Sequence, residues 1–86
     1  MPLRRSPGVP RITPDWVEFP MEDTLTKSRV DCRASYGALR KIGGSATSSR
    51  DDLFAVFHRE RARIEAKADI KYTAGQNPPH IFPEDM

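Results

Sequence analysis

From Ser49 to Gly75 the chain reads as one capped amphipathic helix, SRDDLFAVFHRERARIEAKADIKYTAG. At about 100° per residue, Leu53, Phe57, Ile64 and Ala68 fall within about 60° of one another, with Val56 on one flank and Phe54 and Tyr72 on the other. Ser49, or Ser48 before it, is placed to cap the N-terminus, and Asp51 and Asp52 sit where the helix dipole favours acids. Gly75 terminates the pattern, and Pro78-Pro79 forbid its continuation. About 24 helical residues at ~1.5 Å each span roughly 36 Å. That is longer than a small hairpin can cover.

The rest of the chain must supply what this helix packs on. With 86 residues it can form one domain at most, and such a chain buries only about 60% of its unfolded surface. Asp15 to Met21 alternates, with Val17, Phe19 and Met21 on one side and Trp16 and Glu18 on the other. Pro20 has no N–H for a ladder, so this strand should lie at an edge or carry a bulge. Arg29 to Ala34 alternates again, with Val30, Cys32 and Ala34 inward. The polar segment 22–28 joins the two runs into a hairpin, without the Asn-Gly or Asp-Gly that would fix a tight turn. Ser35 then caps a short helix bearing Leu39 and Ile42, stopped by Gly43-Gly44, and Ser45 to Ser48 link it to the long one. His80-Ile81-Phe82 is a candidate last strand.

The first fourteen residues hold Pro2, Pro7, Pro10 and Pro14 among Arg4, Arg5 and Arg11. Fixed φ angles and missing donors exclude a helix and predict an extended arm, docked on a partner or, more plainly, lying loosely over the domain. The expected organisation is therefore a basic arm at 1–14, one α+β domain at 15–82 and a tail at 83–86. Its order is β-β-α-α-(β): an antiparallel hairpin, extended or not by a C-terminal strand, with one short and one long helix on one face.

Chemistry is harder to find. Arg59, Arg63 and Lys67 recur every four residues as a basic ridge, but acidic Glu65 and Asp69 flank it and no aromatic interleaves it, so a solvated helix flank is the simpler reading. His58, Glu65 and Asp69 are spaced too widely for a metal set, and His80 reads as a tail residue. Cys32 is inward on a strand, with no cation on its own face to activate it. The serines have capping duties and no G-x-S-x-G surrounds them, and Gly43-Gly44-Ser45 is not a phosphate loop. No catalytic, metal or cofactor residues are assigned. Trp16 reads as a lid on the far sheet face or as an anchor for a partner.

A net charge of +2 does not by itself call for nucleic acid or membrane. One cysteine allows no internal disulfide, and neither a signal peptide's apolar run nor a membrane span of about 18 apolar residues is present, so the cytosol is the expected address.

The strand ending Val17-Glu18-Phe19, the run Arg29 to Leu39, the stretch Leu53 to Ala68 and the closing segment Pro79 to Asp85 together resemble the small bacterial family known as domain of unknown function 1488. The resemblance covers roughly residues 10–86, and Phe57, Arg61, Ile64, Glu65 and Ala68 are its most specific part. It implies a compact α+β domain of the bacterial cytosol and brings no catalytic residues. Gly37 departs from the pattern, which would place a better helix former there.

Two functions are weighed. The first is a non-enzymatic module that self-associates, since a broad apolar helix face on a small sheet leaves surface to cover; Trp16, Phe54 and Val56 are its candidate contacts. The second is a nucleic-acid-binding regulator using Arg59, Arg63 and Lys67 with Arg4 and Arg5 of the arm. An enzyme would need His58, Glu65 or Cys32 to converge on a pocket, and on this pattern they diverge.

Overall fold

The computed structural model describes residues 3–44 and 49–86. Pro2, the linker 45–48 and Ser48 as an alternative cap lie outside the described residues. The hairpin forms as the alternation predicts, from β1 (Leu3–Arg5) and β2 (Arg11–Ile12) outward to β3 (Trp16–Asp23) and β4 (Arg29–Ser35). Val17, Phe19 and Met21 stand opposite Ala34, Cys32 and Val30, and all six are at most 5% exposed. Asp23 shapes the turn: its Oδ1 accepts the N–H groups of Leu25 and Thr26, while Lys27 takes a left-handed φ of +62°. Such a turn needs no Asn-Gly, because the Asp side chain folds the backbone around itself.

The arm is the first correction. It does not lie loosely: Leu3–Arg5 pairs antiparallel with Asp23–Met21, and Arg11–Ile12 pairs with Glu18–Val17. Leu3 is 3% exposed in the core. Strands of three and two residues are too short to show a period, so the prolines dominated the sequence pattern. The same pairing explains Pro20. Arg33 donates its N–H to Pro79 O on the far side of β4, so Val30, Cys32 and Ala34 turn toward β3. Alternation then turns Glu18, Pro20 and Glu22 toward the arm. Pro20 falls between the two short strands, where no ladder donor is required, and Gly8 (φ +141°) passes over its ring. A central strand carries a proline because its neighbour is interrupted.

Helix α1 (Tyr36–Gly43) is capped by Ser35, whose Oγ accepts the N–H of Ala38 at 3.1 Å, and it ends at Gly44 with φ +62°. Gly37 now has a reason. A Cβ built there would lie 2.7 Å from Cγ of Pro83, in the 3-10 turn Pro83–Asp85 at the C-terminus. Gly37→Ala, which gains about 1 kcal/mol in an open helix, is expected to lose about 1–2 kcal/mol here by overpacking. Urea unfolding would read the loss, and adding Pro83→Ala should restore most of it.

The long helix is the second correction. It is two helices, α2 (Arg50–Arg59) and α3 (Arg61–Thr73), separated at Glu60, whose φ −103° and ψ 17° leave the helical region. The hydrogen bonds Glu60 N–H to Val56 O and Ile64 N–H to Glu60 O persist across the break at 2.9 and 3.0 Å. An eight-residue strand is only about 26 Å long, so a straight 36 Å helix would overhang the sheet. Breaking it keeps both halves on the sheet: Leu53, Val56, Phe57, Ile64 and Ala68 are at most 2% exposed. Ser49 caps α2 by accepting the N–H of Asp52 at 3.1 Å, and Gly75 closes α3 with φ +100°.

The last strand forms as β5 (His80–Ile81), parallel to β4, with Ile81 fully buried. Among the described residues the sheet has five strands, β1-β3-β4-β5 with β2 also on β3, in an α+β fold. The core lies between the helices and the Val17–Phe19–Met21 face. The opposite face carries Glu18, Glu22, Asp31 and Arg33 toward solvent.

Candidate interaction surface

The side chains singled out as a polar flank are spent on holding the arm. Glu65 of α3 accepts three bonds from Arg5, at 2.9 and 3.2 Å from Nε and 2.8 Å from Nη2, and one from Arg61 Nε at 3.1 Å. One turn on, Asp69 is 6% exposed and accepts the backbone N–H of Leu3 at 3.0 Å. Hydrogen bonding and the adjoining charge of Glu65 raise the Arg5 guanidinium further above its ordinary range. Tyr72, a turn beyond Asp69, donates to Asp23 Oδ2 at 2.6 Å. That bond, ahead of the Leu25 N–H, holds the Asp23 carboxyl below the usual carboxylate range.

Above this clamp lies a recess of about 220 Å³. Its floor is Leu3 and Met21, its helical wall is Ala62 and Ala66, and Arg4, Arg5 and Glu65 rim it. Continuing from Ala62 and Ala66 at four-residue spacing, Ile70 is 62% exposed. An apolar line of three side chains therefore runs along the outer face of α3, all three open to solvent. The sequence pattern concealed it, because alanines next to a longer apolar stripe read as its margin; the isoleucine at the end of an i, i+4, i+8 series was the available signal.

The other candidates scatter. Arg59 lies on α2 beside Glu60, 3.8 Å away, while Arg63 and Lys67 lie on α3 beyond the break. Arg4 pairs with Glu22 and Arg11 with Glu18, so all three arm arginines already have carboxylates. Val56 is 2% exposed inside the core and presents nothing to a partner. Phe54 is half-buried, with its ring stacked over Phe57 at 6.3 Å and edge-on to His58 at 4.6 Å. Trp16 lies on the open sheet face, with Arg33 over its ring at 4.7 Å.

Cys32 is fully buried, and burial, followed by the charges of Asp31 and Glu65, pushes its thiol up to about 12. His58, Glu65 and Asp69 do not converge, and among the described residues no three His, Cys, Asp or Glu groups gather in a metal-binding arrangement. Among the same residues no helix is long and apolar enough to cross a membrane. No family model, curated protein or solved structure matches the chain.

Proposed function

We propose that this chain is a non-enzymatic interaction module that pairs with a second copy of itself through the outer face of α3, as a cytosolic member of the bacterial family it resembles. The observation that carries the reading is Ile70, 62% exposed in line with Ala62 and Ala66 beside an apolar-floored recess. Apolar side chains in a row, rimmed by charge, are the usual composition of a protein contact. A second copy is the favoured occupant because the rim carries both signs, Arg4 and Arg5 with Glu65, and a surface of mixed charge can complement itself. A polyanion would call for one sign. The non-enzymatic part is supported by how the reactive side chains are used: Glu65 and Asp69 hold the arm, and Cys32 fills the core.

The nucleic-acid reading of the ridge has less support, since the acidic Glu65 and Asp69 share α3 with Arg63 and Lys67 and the arm arginines are paired. Sedimentation velocity at high micromolar concentration should find a dimer, and Ile70→Glu should return it to monomer, with a melting temperature unchanged at dilutions where both chains are monomeric. A wild-type chain that stays strictly monomeric would overturn the proposal.

A further inference from the structure

We propose, resting on the self-pairing above, that docking of the N-terminal arm and association at α3 form one coupled equilibrium, in which the docked arm builds the contact and its release dismantles it. Three of the residues around the α3 recess, Leu3, Arg4 and Arg5, belong to β1, while Met21 comes from β3 and Ala62, Glu65 and Ala66 from α3. Leu3, 3% exposed, is half of the floor, and Arg4 and Arg5 supply the positive charge of the rim. Without β1 the floor is Met21 alone and the rim keeps Glu65. A surface of mixed sign that complements a second copy then becomes one of a single sign that repels it.

Strand β1 can leave by itself. Its ladder with β3 is three residues long, Leu3–Arg5 on Asp23–Met21. Its anchors are the Leu3 N–H to Asp69 Oδ1 at 3.0 Å and the pairs Arg5–Glu65 and Arg4–Glu22, whose arginines are half-exposed and can turn to water. Behind them the segment 6–10 leaves Val9 82% exposed and crosses Pro20, which offers no ladder donor. Pairing resumes at Arg11–Ile12, where Thr13 fixes the chain by donating both its N–H and its hydroxyl to Trp16 O at 2.8 Å. Release therefore stops at 6–10 and leaves the hairpin and the helices in place. Short terminal segments of this kind are the first to open.

The coupling has a definite sign. A second copy seated on the recess binds the docked form, so pairing raises the docked population. In return, association weakens with the docked fraction. An arm docked about a tenth of the time weakens the contact about tenfold for each recess used, and a two-fold pair uses both. Asp69 is the lever: it is buried, it lies outside the recess, and its carboxylate accepts the Leu3 N–H, so a substitution there reaches the contact through the arm.

Hydrogen exchange read by mass spectrometry, at concentrations below and above the dimer midpoint found by sedimentation, tests the coupling. The amides of Leu3–Arg5 should exchange about 5- to 150-fold more slowly above the midpoint, the usual range for linked sites, while those of β4 should change little. In Ile70→Glu that concentration dependence should vanish. Asp69→Ala should free the arm and weaken the dimer about 10- to 100-fold, and Asp69→Asn, which keeps an acceptor, should fall between it and wild type. A wild-type dimer whose β1 amides exchange at one rate at both concentrations would overturn the coupling and leave the pairing standing. So would an Asp69→Ala chain with a freed arm and an unchanged dimer constant. A strictly monomeric wild type would overturn both, as would concentration dependence that persists in Ile70→Glu, since the copies would then be trading arms.

Discussion

Phe57→Ala is expected to remove a large share of the stability of this protein. The ring is fully buried, 5.2 Å from Phe19 across the sheet–helix interface and 5.8 Å from the Arg61 guanidinium. Phe→Ala in a core costs about 3–5 kcal/mol, combining lost transfer energy with the cavity left behind. A domain of 86 residues has about 4–13 kcal/mol in total. Urea unfolding followed by circular dichroism should show the midpoint collapse with little change in slope. Phe54→Ala, on a half-buried neighbour, should cost below about 1.5 kcal/mol by the same measurement. Equal losses at the two positions would mean that the core is not centred where the structure places it.

Glu65→Ala is expected to release the arm. Removing one partner of a buried ion pair costs about 3–5 kcal/mol, because the other charge is left without compensation. Arg61, 15% exposed, would be left so; Arg5, 54% exposed, would turn to water. With the Arg5 half discounted for solvent screening, about 2–3 kcal/mol is expected. The more specific readout is hydrogen exchange. The Leu3 amide, donated to Asp69, and the amides of Leu3–Arg5 should lose protection well before those of β4. Glu65→Gln, which keeps the shape and one acceptor, should fall between wild type and Glu65→Ala. Full protection of Leu3–Arg5 in Glu65→Ala would show that strand pairing alone holds the arm.

Both variants touch residues whose roles were visible to different degrees in the sequence. Phe57, with Leu53, Ile64 and Ala68, follows from helical period, and Val17, Phe19, Val30 and Cys32 follow from alternation; all are buried as those patterns require. The period survives the break at Glu60 because a single residue outside the helical region rotates the following stripe only modestly. For the same reason the break itself leaves no mark: there is no glycine or proline between Asp51 and Ala74. The mismatch of helix and sheet lengths was legible, but a chain can resolve it either by adding a partner or by bending, and the sequence does not say which. Here the helix breaks at Glu60, Val56 is buried in the core and Ile70 is left exposed on α3.

The arm illustrates a different limit. Arg5 and Glu65 are 60 positions apart and Leu3 and Asp69 are 66 apart, and nothing local in either segment names the other. Only Gly37 hinted at a distant contact, being a poor helix residue inside a short helix. The residue it admits, Pro83, lies 46 positions further along the chain.

Those long separations also govern how fast the native state can be reached. The hairpin of β3 and β4 closes locally, but the anchors of Leu3 and Arg5 in β1 come from α3, and β5 gains its ladder only from β4 across 44 intervening positions between Ser35 and His80. Closing such loops is opposed by chain entropy before any contact rewards it. The topology therefore belongs with the mixed helix-and-sheet domains that fold more slowly than helical bundles of equal size. On the ribosome, β1 would emerge well before α3, and would wait for that helix to find its place.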